Sequence, residues 1–207
     1  GEEGGEDDGL GSDEWDRAGK SFSAMVESID AAKLDAEVLA NAEADTYWCL
    51  TKLLDNIQDH YTAGQPGLQR QMFRLEELVR RIDGDLHYHL TENGIQFTFF
   101  TFRWMNNLLM RELPLQAIVR LWDTLFSEDS GGSGFEDFHV YVCAAFLKHF
   151  SETIQETSAE QLMLFLQELP TKEWGLSHME TLLSEAFILS TSFKDAQHHL
   201  TGTGAPM

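Results

Sequence analysis

Residues 95–112 read IQFTFFTFRWMNNLLMRE and form the most apolar and aromatic part of the chain. The alternation of Ile95, Phe97 and Phe99 is compatible with a strand, because every second side chain of a strand lies on the same face. The length of the segment and its continuation into Asn-Asn-Leu-Leu-Met-Arg-Glu favour a helix instead. We therefore predict a helix over residues 95–112 that is buried on several sides.

Apolar residues recur at spacings of three and four on both sides of this segment, which is the period of a helix face. Upstream, one stripe runs over residues 47–61 and a second over residues 68–82, with the turn TAGQPG at residues 62–67 between them. Downstream, Pro114 suits the first turn of a helix that carries the next stripe at residues 115–125. The repeated pattern predicts an all-α chain.

The remaining third of the chain shows the same pattern. Residues 127–134, SEDSGGSG, predict a flexible loop, after which helical spacing resumes. Ser158 with Gln161, and Ser177 with Glu180, match the capping box that begins a helix. In total we expect about six to nine helices, without a convincing strand and without an internal repeat, as in an irregular multi-helix domain.

The two ends of the chain differ in composition from this helical body. Residues 1–16 combine glycines with eight acidic residues and no basic one. Such a segment buries too little apolar surface to offset the entropy lost on ordering, so we predict a disordered acidic insertion over residues 1–17. Short helices or a linker are expected over residues 18–42, the helical body over residues 43–200, and a flexible tail over residues 201–207.

Charge and hydropathy limit the classes of partner. The chain has a formal net charge of −21, from 35 acidic and 14 basic residues, which argues against nucleic acid and anionic membrane as general electrostatic partners. No stretch reaches the roughly 18 uninterrupted apolar residues of a membrane span, and the N-terminus lacks the pattern of a signal peptide. We predict a cytoplasmic protein without an integral membrane segment.

The two cysteines support a reducing compartment. Cys49 and Cys143 lie in apolar helical patterns, and neither has a second thiol at the spacing of a metal or redox site. We predict that both are small buried core residues.

Motifs for metal, phosphate or nucleophile chemistry are lacking. His87 and His89 are two residues apart and His198 and His199 are adjacent, whereas two ligands on one helix face need a spacing of three or four. The sequence contains no G-x-x-x-x-G-K-[ST], G-x-G-x-x-G or G-x-S-x-G motif. We therefore predict no metal site and no cofactor.

Charged residues interrupt the apolar region at Arg103, Arg111, Glu112, Arg120 and Asp123. Because an unpaired buried charge is costly, these residues should form ion pairs or reach a helix edge. The pattern is compatible with a structural ion-pair network and with a catalytic arginine. Since an arginine that acts on a nucleotide must be exposed in a groove, arginines embedded among aromatic residues favour the structural role.

Five blocks of sequence occur together in the order and spacing of one protein family. They are EADTYWCLTKLLDNIQDHYTAGQPGLQRQM at 43–72, IQFTFFTFRWMNNLLMRELPL at 95–115, RLWDTLF at 120–126, FHVYVCAAFL at 138–147 and LQELPTKEW at 166–174. Over residues 43–199 the chain resembles the C-terminal half of TBC domains, and it is most similar to the Gyp-like subgroup of Rab GTPase-activating proteins.

The resemblance implies a V-shaped, all-α domain of two helical subdomains that stimulates GTP hydrolysis by Rab-family GTPases in vesicle trafficking. In this family an arginine from I-x-x-D-x-x-R neutralises charge in the transition state, and a glutamine from Y-x-Q positions the attacking water. The domain needs no cofactor of its own.

Neither of these motifs occurs in the chain. Residues 82–88 have the spacing of the first motif but place Tyr88 where arginine is needed, and Tyr61 is followed two residues later by Ala63. We therefore assign no catalytic, cofactor-binding or metal residue, and expect the matching positions to precede Gly1. Our hypothesis is that Gly1 begins the second piece of a split domain, whose first half is carried by a companion chain, and that this chain alone is inactive.

Two functions remain open from the sequence. The first is GTPase activation, in which this chain supplies scaffold and docking surface, and the alternative is a non-catalytic Rab-binding or adaptor module. Gln96, Asn106 and Asn107 are plausible docking positions, but core packing explains their helix equally well, so no docking residue is assigned. The resemblance implies a cytoplasmic protein that is peripheral on endomembranes.

Overall fold

A computed structural model of the chain describes residue 17, residues 24–128 and residues 134–193. Within these ranges the chain forms helices and connecting turns and no strand, so the predicted all-α class is confirmed. The predicted acidic insertion before residue 17, most of the loop at residues 127–134 and the tail at residues 201–207 lie outside the described residues. The V shape implied by the resemblance stays an expectation.

The described helices differ widely in length. In chain order they are α1 Ala36–Leu54, α2 Pro66–Ile82, α3 Gly84–Glu92, α4 Thr98–Asn106, α5 Leu115–Ser127, α6 His139–His149, α7 Ser151–Glu156, α8 Ala159–Gln167 and α9 Leu176–Phe193. Short 3₁₀ turns occupy Ala31–Lys33 and Gln58–His60, and a π-helical turn, Gly134–Phe138, leads directly into α6. None of the described helices is long and apolar enough to cross a membrane.

Helix α6 is the centre of the core. Nine consecutive residues from His139 to Leu147 are buried, and α6 packs against α2 and α9. The rings of Trp104 and Phe146 meet edge to face at 5.2 Å, and Phe146 makes the same kind of contact with Trp174 at 5.4 Å. Edge-to-face pairs of this kind add to the stabilisation from apolar burial. These contacts join α4 and α6 to the segment that precedes α9.

Helix α2 confirms the predicted turn and the predicted apolar stripe. Gln65 precedes it in the left-handed region (φ 46°) and Pro66 occupies its first turn. A Cβ at Gly67 would lie 2.2 Å from the carboxylate of Asp59, so only glycine permits the preceding turn to approach this closely. The inward face then carries four buried residues of the stripe: Leu68, Met72, Leu75 and Val79.

The helix predicted over residues 95–112 is shorter in the structure. It begins at Thr98 and ends at Asn106, because Leu108 and Leu109 adopt positive φ angles of 50° and 63°. The left-handed conformation costs a non-glycine residue roughly 1–2 kcal/mol. Both leucine side chains are buried, and their burial offsets that cost.

Helix α1 departs from the prediction in two ways. It begins after the N-cap Asp35, whose carboxylate accepts from the N–H of Glu37 at 2.8 Å, so one helix crosses the predicted division at residues 42 and 43. It also ends at Leu54, and the predicted stripe over residues 47–61 continues only through the 3₁₀ turn.

The two capping-box predictions had different outcomes. Ser158 is the N-cap residue of α8, although its side chain donates or accepts no capping hydrogen bond. Ser177 lies inside α9, which begins at Leu176, so the second prediction is wrong. The N–H of Gly175 is bonded at 3.3 Å to Nδ1 of His178 instead, and the helix begins two residues earlier than a cap at Ser177 would place it.

Candidate functional site

An apolar groove of about 500 Å³ lies between the second half of α1 and the turn that joins α4 to α5. Its walls are formed mainly by apolar side chains from both sides, among them Leu50, Leu53, Leu54, Leu108, Met110 and Phe126. The volume falls within the usual range of ligand pockets, roughly 300–1,000 Å³. With so few polar groups, the groove favours an apolar partner rather than a charged ligand.

Two side-chain donors hold the α4–α5 turn in place at the groove. Nε1 of Trp122 on α5 donates to the carbonyl of Leu108 at 3.3 Å. The hydroxyl of Tyr61 donates to the carbonyl of Asn106 at 3.0 Å, and partial burial raises the pKa of Tyr61, so that the hydroxyl keeps its proton at neutral pH. These bonds stabilise the left-handed turn without any contribution from α1.

The three polar positions considered for docking do not lie together. Asn106 and Asn107 line the groove, whereas Gln96 is an exposed residue before α4. Nδ2 of Asn107 donates to the carbonyl of Arg103 at 3.2 Å and so caps the end of α4. Two of the three positions therefore belong to the lining of the groove, and Gln96 does not.

The prediction that both cysteines are buried is wrong for Cys49. Cys49 is exposed on the groove wall, whereas Cys143 is fully buried in α6. Burial raises the pKa of the Cys143 thiol, so this thiol is unreactive in the folded chain. Cys49 lies in an apolar pattern as predicted, but the face on which it lies has no cover within the described part of the chain.

The ion pair predicted in the apolar region is present and is structural. Nε and Nη2 of Arg103 bond the two carboxylate oxygens of Glu112 at 2.5 and 2.7 Å. Nη2 also donates to the carbonyl of Gln167 at 2.7 Å, and the hydroxyl of Thr171 donates to the carbonyl of Glu112. Because its donors are engaged, Arg103 fastens the α4–α5 turn to the end of α8.

The other charged residues of this region reach the surface. Arg111, Arg120 and Asp123 are exposed, and Nη1 of Arg120 donates to the hydroxyl of Thr124 at 2.5 Å. The charged residues of this region were expected either to form ion pairs or to reach a helix edge, and these three lie at the surface. In this region Arg103 and Glu112 therefore form an ion pair, whereas the other three charged residues are exposed to solvent.

The histidines do not form a metal site within the part of the chain that the structure describes. The ring of His87 stacks on Phe97 at 5.6 Å, and its Nε2 lies 3.6 Å from the carboxylate of Glu76. Nε2 of His89 is buried without a hydrogen-bond partner. His198 and His199 lie outside the described residues.

Three buried polar residues were not predicted from the sequence. His60, Gln71 and His139 are all almost fully buried, and Nε2 of Gln71 donates to the carbonyls of Phe135 and Glu136, both at 2.9 Å. Burial, and to a smaller extent His60, lowers the pKa of His139 to about 3. His139 is thus uncharged at neutral pH and belongs to the core beside α2.

Comparisons with known proteins agree over most of the chain. The profile of the family described as the Rab-GTPase-TBC domain matches residues 31–155. Human TBC1 domain family member 22A is 51% identical over 175 residues, which are 84% of this chain and 33% of that protein. GTPase-activating protein gyp1 of Schizosaccharomyces pombe is 49% identical over 173 residues, with the same two coverages.

A solved structure shows the same relationship. The Ypt/Rab-GAP domain of Gyp1p superimposes with a TM-score of 0.77 at 45% identity, covering 84% of this chain and 53% of that chain. This chain spans about a third of the length of the two relatives above. Its identity to them and the match of the family profile agree with the Gyp-like resemblance of the sequence, and the chain belongs to the Rab-GTPase-TBC domain family.

Proposed function

We propose that this chain is the C-terminal part of a GTPase-activating domain that stimulates GTP hydrolysis by Rab-family GTPases in vesicle trafficking. The observation that carries the proposal is the superposition on the Ypt/Rab-GAP domain of Gyp1p, which extends over 84% of the chain at 45% identity. At this identity the helices, and not only the fold class, correspond. The chain supplies scaffold and docking surface for the GTPase.

In this proposal, this chain and the rest of the domain have different roles. The buried ion pair of Arg103 and Glu112 supports a framework role for this arginine, because its guanidinium already bonds a carboxylate. A companion segment would carry the arginine and glutamine that act on the nucleotide. An arginine supplied in trans accelerates GTP hydrolysis by roughly 10³–10⁵.

The share of the related domain that this chain covers supports the existence of a companion segment. The chain covers 53% of the solved Rab-GAP domain, so nearly half of that domain has no counterpart here. We place the assembled protein in the cytoplasm and peripherally on endomembranes, where Rab-family GTPases act. The net charge of −21 disfavours direct attraction to anionic lipid, so the GTPase would bring the domain to the membrane.

The test is GTP hydrolysis by a panel of purified Rab proteins. The samples contain this chain, the unmatched part of the Gyp1 Rab-GAP domain as a separate polypeptide, or both. We expect little acceleration by either piece and acceleration of about 10³-fold or more by the mixture. The matched control is the same mixture with the arginine of the I-x-x-D-x-x-R motif changed to alanine, which should be inactive. Rab binding without acceleration in every sample would make the chain a GTPase-binding scaffold and overturn the proposal.

A further inference from the structure

Helix α2 carries a large share of the basic residues of this acidic chain. It contains Arg70, Arg74, Arg80 and Arg81, whereas the whole chain has 14 basic and 35 acidic residues. At 3.6 residues per turn, Arg70, Arg74 and Arg81 lie within about 40° of one another around the helix axis. Three of the four arginines therefore share one face of α2, which forms a basic strip on a chain of net charge −21.

The acidic residues near this strip pair with its arginines unequally. Two carboxylates lie against Arg70, at 2.6 and 3.5 Å from its Nη2. Nη1 of Arg74 lies 2.5 Å from the carboxylate of Asp137. Arg81 is exposed and forms no ion pair or hydrogen bond within the described part of the chain. The described acidic residues thus leave the charge of Arg81 unpaired.

A small cavity of about 30 Å³ lies beside Arg81, where α2 meets α6 and the end of α9. It is lined by Arg74, Leu78, Arg81, Val140, Tyr141 and Phe193. The cavity is far smaller than the usual pockets for drug-sized ligands, which begin at roughly 300 Å³. It can therefore receive one small polar group, whose remainder would extend into solvent past the exposed Arg81.

The two arginines are held at the cavity without using all of their donors. The guanidinium carbon of Arg81 lies 5.1 Å from the centre of the Phe193 ring. Such a cation–π contact uses the face of the guanidinium, whereas its N–H donors lie in its plane. Arg74 is oriented by the bond from its Nη1 to Asp137, and its other donors have no hydrogen-bond partner in the described residues. Both guanidinium groups therefore keep N–H donors for a ligand.

The charges at the cavity favour a phosphate group as that ligand. Arginine binds phosphate and carboxylate oxygens through pairs of N–H donors. A phosphate monoester carries between about 1.5 and 2 negative charges at pH 7 and can accept from both arginines, whereas a carboxylate carries one charge. Asp137 stays bonded to Arg74 and lowers the local charge of the two arginines to +1, so we expect weak binding, with a Kd on the order of 1 mM.

We propose that Arg74 and Arg81 form a binding site for a phosphate monoester group at the junction of α2, α6 and α9. Arg81 donates from the edge of a guanidinium that Phe193 holds in place, and Arg74 donates from the N–H groups that Asp137 leaves available. Occupation of the site links α2 to the end of α9, since Arg81 and Phe193 belong to these helices. The site goes beyond the proposed function and does not depend on it.

Phosphoserine is a suitable probe of the site. It is titrated into the chain at pH 7 and constant ionic strength, with chloride as the reference anion, and the arginine Nε–H signals are followed by NMR. We expect saturable shifts of Arg74 and Arg81, and a loss of affinity of about tenfold or more in Arg81→Gln. The matched control is Arg120→Gln, which removes an exposed arginine on α5 and should bind as the unmodified chain does.

Two results of this titration would overturn the proposal. The first is a lack of saturation, or shifts that chloride reproduces, because the arginines would then respond only to ionic strength. The second is an equal affinity in Arg81→Gln, because the phosphate group would then bind elsewhere on the chain.

A sedimentation experiment identifies the source of the phosphate group. The chain is mixed with vesicles of phosphatidylcholine alone or with added phosphatidic acid, whose headgroup is a phosphate monoester. Because the net charge of −21 opposes an anionic surface, we expect no sedimentation, which assigns the site to soluble monoesters. Sedimentation with phosphatidic acid that Arg81→Gln abolishes would support the same site with a lipid headgroup as its ligand. Sedimentation that Arg81→Gln leaves unchanged, without phosphoserine binding, would contradict the site.

Discussion

Helices α6 and α1 both carry many apolar residues, but α6 is buried and α1 is largely exposed. From His139 to Leu147 every residue of α6 is buried, and neighbouring helices contact it on several sides. Helix α1 is longer, with 19 residues, yet Leu53 alone is buried. Both sequences contain apolar residues at helical spacing. The difference shows that neighbouring helices of the described chain cover α6, whereas no described residue covers most of α1.

The largest contrast is expected from truncating one aromatic side chain in each helix. Phe146→Ala removes a fully buried ring that contacts Trp104 and Trp174, and it should cost about 3–5 kcal/mol of unfolding free energy. Trp48→Ala removes an exposed ring on α1 and should change the stability by no more than about 0.5 kcal/mol. Urea denaturation of both variants measures the difference. Similar losses in the two variants would show that α1 is packed in the isolated chain.

The α4–α5 turn, which forms one side of the groove, should depend strongly on the partly buried ion pair of Arg103 and Glu112. Glu112→Gln weakens the bidentate pairing of Arg103, and because the Glu112 side chain is only 3% exposed, we expect a loss of about 2–4 kcal/mol. The control is Glu185→Gln, which breaks the half-exposed pair with Lys148 and should cost less than about 1 kcal/mol. Equal losses in urea denaturation would mean that the α4–α5 turn is not fastened by Arg103.

The pH dependence of the unfolding free energy tests whether His139 is uncharged in the folded core. The pKa of His139 is lowered to about 3 in the folded chain, below its ordinary value of 6.5. The unfolded chain therefore takes up a proton that the folded chain does not, and stability is full above pH 6.5 and falls as the pH decreases. At pH 4.5 the loss from this group is about 2–3 kcal/mol.

The variant His139→Gln isolates this contribution. It should flatten the decrease in unfolding free energy between pH 6.5 and 4.5, while the contribution of the carboxylates stays the same in both proteins. If the two proteins lose stability in parallel over this range, His139 is not a buried neutral residue in the folded chain.

The smallest perturbation is chemical labelling of the thiols. In the folded chain a maleimide should modify Cys49 and leave Cys143 unmodified, because Cys49 is exposed and Cys143 is buried with a raised pKa. Mass spectrometry should find one label in buffer and two in urea, and Cys49→Ser should remove the label found in buffer. Two labels in buffer would show that α6 opens readily.

Much of the fold was predictable because local patterns and core packing agree. The stripe of α2, the turn before Pro66 and the pairing of Arg103 follow from periodicity and from the cost of an unpaired buried charge. The end of α4 was not predictable, since Leu108 and Leu109 adopt positive φ without a glycine or proline to indicate it. Their conformation is determined by tertiary burial and by the donor Trp122.

The candidate site was less predictable than the fold. Periodicity indicates which face of α1 is apolar, but it does not indicate whether that face is covered, so Cys49 was wrongly expected in the core. His60 and His139 come from distant positions, and His60 affects the pKa of His139 only because the fold brings them near each other. The groove also joins two segments far apart in sequence, α1 and the α4–α5 turn. No local pattern contains that information.

The most direct test of the account is single-turnover GTP hydrolysis by a responsive Rab protein in the presence of the unmatched Gyp1 segment. The account predicts little acceleration by the segment or by this chain alone, and acceleration of about 10³-fold or more when the two are combined. Acceleration by this chain alone, or Rab binding without acceleration in the mixture, would contradict the proposal that this chain is the C-terminal part of a Rab GTPase-activating domain.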